Sequence, residues 1–173
     1  FLNDTASTEM YTPAMTLALL DALLVCVEGD VEAGPGTEAK RGEVGVSKGD
    51  TDPRELMALI GLSGPARGMV ALAFPSETAI NAVNRLLGTD TKAMDDTVSD
   101  AIAELVNIVA GGSKAKFPIG DGPPIDLSLP TVVRGTGYKV DYPSQSVWLE
   151  VPFTSELGDF TMRVTFEMDE NKK

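Results

Sequence analysis

The sequence predicts an α+β fold in which antiparallel strands are layered against helices. Three observations carry that expectation. Leu56 to Leu62 and Gly68 to Phe74 are strand-like apolar runs joined by Ser63-Gly64-Pro65-Ala66-Arg67, the arrangement of an antiparallel hairpin. Long stretches at helical spacing stand before and after that hairpin. Finally, GMVALAF at 68–74 is echoed in pattern by FTMRVTF at 160–166, each closing a hairpin that follows an apolar helix and further strands. The chain therefore reads as a sandwich with pseudo-two-fold halves, and a helix over Ser76–Leu87 between them.

Each element has a local cause. Residues 1–11 are polar and patternless, a loose lead-in to a single domain over 12–170. Thr12-Pro13 supplies an N-cap and a first helical residue. The helix that follows, to about Glu28, is apolar almost all round, which predicts burial on most sides. Val31 to Pro53 holds Gly34, Pro35, Gly36, Gly42, Gly45 and Gly49, so only short, interrupted strands are expected there. After the hairpin, Pro75-Ser76 opens a helix with Ile80, Val83, Leu86 and Leu87 at helical spacing and Gly88 as its stop. Asp95-Asp96 opens the next, from Thr97 to about Ala115. Strands follow near Ile125 to Arg134, Val147 to Phe153 and Phe160 to Phe166, with Gly158-Asp159 as the last hairpin turn.

Composition narrows the chemistry. The 173 residues carry 14 Lys+Arg against 26 Asp+Glu, a net charge of −12 at pH 7. That balance argues against nucleic acid or an anionic membrane as partner, because phosphate attraction needs clustered cations. With no histidine and one cysteine (Cys26), a dedicated zinc site, an internal disulfide and every His-based catalytic dyad are excluded within this sequence. Ala14 to Val27 is too short to span a bilayer and carries Asp21. No basic leader segment precedes it, and a lone Cys in an apolar helix suits a reducing compartment, so the expected location is cytoplasmic.

The helix beginning at Asp95-Asp96 is the most informative segment. At about 100° per residue, Ile102, Leu105, Ile108 and Val109 share one broad face, while Asp100, Glu104 and Asn107 fall within roughly 60° of each other on the opposite side. Asp96, Gly111 and Lys114 extend the polar stripe, and Ala103, Ala110 and Gly111 flank Asn107, leaving room for a partner's backbone. A solvated helix face explains such a stripe equally well, with Asp favoured near the N-terminus by the helix dipole. One residue resists that account, since Asn is a poor mid-helix residue whose side chain competes for backbone hydrogen bonds.

Asp100-x3-Glu104-x2-Asn107, followed by 22 residues and then Pro130, resembles the signature of the CheC/CheX/FliY family of chemotaxis phosphatases. IGLSG at 60–64, FPSETAINAV at 74–83, AELVNIVAG at 103–111 and LPTVV at 129–133 are similar to the CheX branch in particular. CheC-type members resemble a tandem with a second Glu-x2-Asn on the first helix; here Pro13 to Glu28 contains no Asn, the single-site pattern. The Gly-rich stretch 32–53 and the loop Pro118 to Pro124 depart most from the family.

The resemblance implies a CheC/CheX-like fold, a homodimer formed through sheet edges, and a phosphorylated CheY-like response regulator as substrate. It also implies no cofactor of the protein's own, because Mg²⁺ and an active-site Lys belong to the regulator. Asn107 would then orient the attacking water and Glu104 would pair with the regulator's Lys, making these two the catalytic residues. Asp100 and Gly111 would meet the partner, although Asp100 is equally explained as helix-N-terminal charge. Pro130 reads as a backbone device at a strand end. Lys114 and Lys116 read as solvated helix-end cations. Trp148 belongs to the strand core or to a dimer edge. The alternative is a non-catalytic interaction module, since the fold is similar to the middle domain of flagellar switch proteins. The Glu104–Asn107 pair favours catalysis, because a scaffold has no need of it.

Overall fold

Alternation along the strands decides which side of the sheet the helices cover. The computed structural model describes residues 39–47, 54–64, 66–114, 124–140 and 147–168. The lead-in 1–11, the helix expected over Thr12–Glu28 and nearly all of the 118–124 loop lie outside the described residues. In chain order the elements are β1 (Ala39–Arg41), β2 (Gly45–Val46), β3 (Leu56–Ser63), β4 (Ala66–Phe74), α1 (Ser76–Leu87) and α2 (Asp96–Lys114). They continue as β5 (Asp126–Leu127), β6 (Thr131–Arg134), β7 (Leu149–Ser155) and β8 (Gly158–Met168).

Among the described residues one antiparallel sheet holds all eight strands. Its rows are the interrupted edge β1/β2, then β7, β8, β4, β3, and the second interrupted edge β5/β6. The two runs that echo each other in sequence are its central neighbours, paired from Gly68↔Phe166 to Ala73↔Thr161. On either side each pairs with its own hairpin partner, β3 with β4 and β7 with β8. The edges are crossed: β1/β2, from the first half of the chain, lie on β7, and β5/β6, from the second, lie on β3. This is the expected pseudo-two-fold, with its axis between β4 and β8.

Leu56, Ala58, Ile60 and Leu62 of β3, Val70, Leu72 and Phe74 of β4, Val151 and Phe153 of β7, and Met162 and Val164 of β8 face the helices. Against them pack Ala79 and Val83 of α1 and Val98, Ile102, Val106 and Val109 of α2. Each large side chain so buried is worth roughly 1.5–3 kcal/mol, so this layer holds α2 to the sheet. Phe160 stacks between Phe74 and Phe153, with ring centroids 5.2 and 5.0 Å away. On the other face Met57, Ala71 and Ala73 are buried with Leu59, Tyr138 and Val140. Beside them Glu150 takes a hydrogen bond from Arg163 Nε at 2.9 Å and lies 3.5 Å from Arg54 Nη2.

Several boundaries differ from expectation. The last hairpin turns at Glu156-Leu157, and Gly158 is already the first residue of β8. Gly158 takes φ +121°, and a Cβ there would run into the buried side chain of Thr78. The glycine therefore marks a close approach of α1 as well as a turn. β7 runs from Leu149 to Ser155, two residues later than expected at each end, and Trp148, half-buried, precedes it. The strand expected over Ile125–Arg134 is broken into β5 and β6. Helix starts and stops agree more closely. Glu55 Oε2 accepts the Ser76 N–H at 2.9 Å, so a side chain just before the neighbouring strand β3 satisfies the start of α1, and Gly88 ends it in the left-handed conformation.

Candidate functional site

α2 is positioned by its N-terminal end. The Asp95 carboxylate accepts the Val98 N–H at 3.0 Å, and its carbonyl accepts the Ser99 N–H at 3.2 Å, a side-chain N-cap. The loop before it is held by Asn84 of α1, whose Oδ1 accepts the Thr91 N–H at 2.8 Å and whose Nδ2 donates to the Thr91 carbonyl at 2.9 Å. Asp96 then meets Arg134 of β6, Nη2 to Oδ1 at 3.0 Å. Sequence reasoning singled out neither Asn84 nor Arg134. Only the Gly88 stop hinted that the end of α1 was specified closely.

Burial around α2 revises the wheel. Its core stripe is Val98, Ile102, Val106 and Val109, each at most 1% exposed. Leu105 and Ile108, expected on that face, are only half-buried at its margin, packing with Ala101 against the core. The stripe is centred about 50° further round the helix than expected, roughly half a residue step, which buries Val106 and leaves Leu105 and Ile108 at the margin. Ala110, expected to flank the site, is buried; Ala103 is half-exposed and Gly111 is exposed with nothing within 4 Å of the position of a Cβ.

The residues singled out in sequence share the outer side of α2. Asp100 and Glu104 are exposed, Asn107 is half-buried, and Gly111 continues the line toward the C-terminus and Lys114. On the wheel Asp100, Glu104 and Asn107 all lie within about 40° of the direction opposite the core stripe, Glu104 to one side of it and Asn107 to the other, the latter within about 20° of Asp96. Among the described residues no side-chain hydrogen bond or ion pair ties down Asp100, Glu104 or Asn107. Among the described residues, too, no group of three His, Cys, Asp or Glu is placed to hold a metal ion. Here, then, are an acceptor-only carboxylate and an amide that both donates and accepts, one turn apart on a rigid helix and directed outward. Pro130 stands just before β6, as a strand-end device should.

A pseudo-symmetric antiparallel sheet layered on one face by helices is the architecture of the CheC/CheX-like class of α+β proteins. A CheC-like superfamily protein from Shewanella sp. PV-4 shares the fold at a TM-score of 0.77, with 26% identity and coverage of 89% of this chain and 97% of that one. A Borrelia burgdorferi CheX, solved in complex with CheY, BeF3 and Mg²⁺, shares it at 0.67 and 19% identity, over 91% of this chain and 97% of the other. The family model described as chemotaxis phosphatase CheX matches residues 56–154. The CheY-P phosphatase CheX of Thermotoga maritima is 30% identical over 141 residues, 81% of this chain and 89% of that protein. The chain belongs to the CheX family of chemotaxis phosphatases. No helix among the described residues is long and apolar enough to cross a membrane.

Proposed function

We propose that this protein hydrolyses the aspartyl phosphate of a CheY-like response regulator, with residues 12–170 acting as one domain. The observation that carries the reading is the placement of Glu104 and Asn107 one turn apart on the outward face of α2. The Thermotoga relative, a CheY-P phosphatase, and the Borrelia CheX, held with CheY, BeF3 and Mg²⁺, support the choice of partner.

Phosphoryl transfer depends largely on positioning and on charge already in place. The regulator brings Mg²⁺ and a Lys to its own phosphate, leaving one task to this chain: holding a water in line with the scissile P–O bond. The Asn107 Oδ1 accepts from that water, and its Nδ2 donates to it or to a phosphoryl oxygen. As the water's oxygen bonds to phosphorus, the regulator's Asp carboxylate departs, and inorganic phosphate is released. Glu104 pairs with the regulator's Lys, which sets the register of the two surfaces and brings Asn107 over the phosphorus. Asp100 and Gly111 border this contact; the bare Gly111 lets the regulator's backbone come close. The protein acts in the cytoplasm as a homodimer joined through sheet edges, each chain engaging one regulator.

The test is phosphate release from a labelled, phosphorylated CheY-type regulator with and without this protein. Faster release is expected. Tight binding with unchanged release supports the interaction-module reading instead.

A further inference from the structure

The edge strand beside α2 contains a break that has a single geometric cause. Leu59↔Thr131 and Leu62↔Leu127 are both paired. Between those pairs β3 places two residues, Ile60 and Gly61, whereas the edge places three, Ser128, Leu129 and Pro130. This is a β-bulge, in which one extra residue is squeezed out of the ladder. Ser128 locks it: its N–H donates to the Gly61 carbonyl at 2.9 Å, its hydroxyl accepts the Gly61 N–H at 2.9 Å, and the same hydroxyl donates to the Leu129 carbonyl at 2.9 Å. Gly61 permits the approach, since the position of a Cβ there lies 3.3 Å from the Ser128 hydroxyl. Pro130 fixes the next φ. The extruded residue is Leu129, 87% exposed, the most exposed large apolar side chain among the described residues.

Where Leu129 stands relative to α2 follows from the Asp96–Arg134 contact. That ion pair places the flank of α2 bearing Asp96 toward β6 and starts the helix at the Leu56↔Arg134 end of the sheet edge. α2 packs along β3 from that end, so it advances toward Leu62. From Asp96 to Asn107 is eleven residues, about 16 Å of helix that returns to within about 20° of the same flank. From Leu56, the partner of Arg134, to Ile60 and Gly61 opposite the bulge is four to five residues of β3, about 13–16 Å of strand. Asn107 and Leu129 therefore stand at the same level on the same side of α2.

We propose that Leu129 is a docking contact for the response regulator, a rigid apolar peg that inserts beside the acyl phosphate while Asn107 addresses the phosphorus. The proposal rests on the reading of Glu104 and Asn107 given above. Its occupant is an apolar depression on the regulator's surface next to the phosphorylated Asp. A locked backbone suits the role, because a peg already held in place loses little entropy on binding.

The experiment measures steady-state dephosphorylation and affinity for the BeF3-loaded form of a CheY-type regulator, using the full chain as wild type, Leu129→Ala, Leu129→Met and Asn107→Ala. Leu129→Ala is expected to raise KM and Kd roughly tenfold, the loss for one well-seated aliphatic side chain. The loss falls on KM rather than kcat, thermal stability is unchanged, and Leu129→Met restores most of the affinity. Asn107→Ala splits the other way, lowering kcat with little change in Kd. If Leu129→Ala leaves KM and Kd unchanged while Asn107→Ala loses turnover, the peg is overturned and the catalytic reading stands. If neither variant changes anything, both fall together. A Leu129→Ala protein whose dimer dissociates while KM holds also overturns the proposal, assigning the residue to a contact between copies.

Discussion

Arg134, the last residue of β6, holds Asp96 in the first turn of α2 with Nη2 and Oδ1 3.0 Å apart. The contact links the helix that carries Glu104 and Asn107 to an edge strand 38 residues further along the chain. It also shows which flank of the helix faces that edge. The core beneath the helix sets its orientation, and this contact marks how that leaves the site placed against the sheet edge.

Because both partners are open to solvent, at 46% and 89% exposure, the pair itself contributes little to stability. Arg134→Ala is expected to cost less than about 1 kcal/mol in urea unfolding. A loss of several kcal/mol shows instead that β6 needs this anchor to stay paired.

Asn107→Ala is expected to slow single-turnover decay of the regulator's aspartyl phosphate on the order of 10²-fold at saturating protein, the scale of a lost positioned water. Stability should hold or rise, since Ala is the better helix former. Asn107→Asp should do no better, because it sets negative charge beside the phosphoryl oxygens. Wild-type decay in Asn107→Ala sinks the catalytic assignment.

Glu104→Ala is expected to weaken affinity for the phosphorylated regulator through loss of a charge-assisted contact. Wild-type affinity should fall as salt is added, and the Ala variant should fall less steeply. Two parallel salt series with equal affinities rule Glu104 out of this role.

At the last hairpin, Gly158→Ala meets two penalties: a side chain at φ +121° and a collision with Thr78. The expected cost is about 2 kcal/mol or more. Adding Thr78→Ala should recover only part of it, because the backbone strain remains. Equilibrium unfolding of the single and double variants separates the two causes.

What was legible in the sequence is what local chemistry decides. Proline, glycine and aspartate punctuation placed the ends of α1 and α2 within a residue or so, since caps act on the turn beside them. The hairpin of β3 and β4 followed from two apolar runs and a short turn. The outward line of Asp100, Glu104, Asn107 and Gly111 followed from helical periodicity alone, and with Pro130 it carried the resemblance to the family.

Tertiary structure decided the rest. The crossing of β1/β2 onto β7 and β5/β6 onto β3 joins residues far apart in the chain, and no local pattern encodes a pairing partner. Whether Val106 or Leu105 is buried in the core depends on how α2 is rolled on the sheet, a matter of packing on every side at once. The bulge at Leu129 arises only where the edge lies against β3, because an extra residue is extra only relative to a partner strand. The sequence by itself determined a helix with a carboxylate and an amide on its outer face. The sheet decided where that face points, because its direction is set by contacts that exist only once β3 and β6 lie beneath and beside the helix.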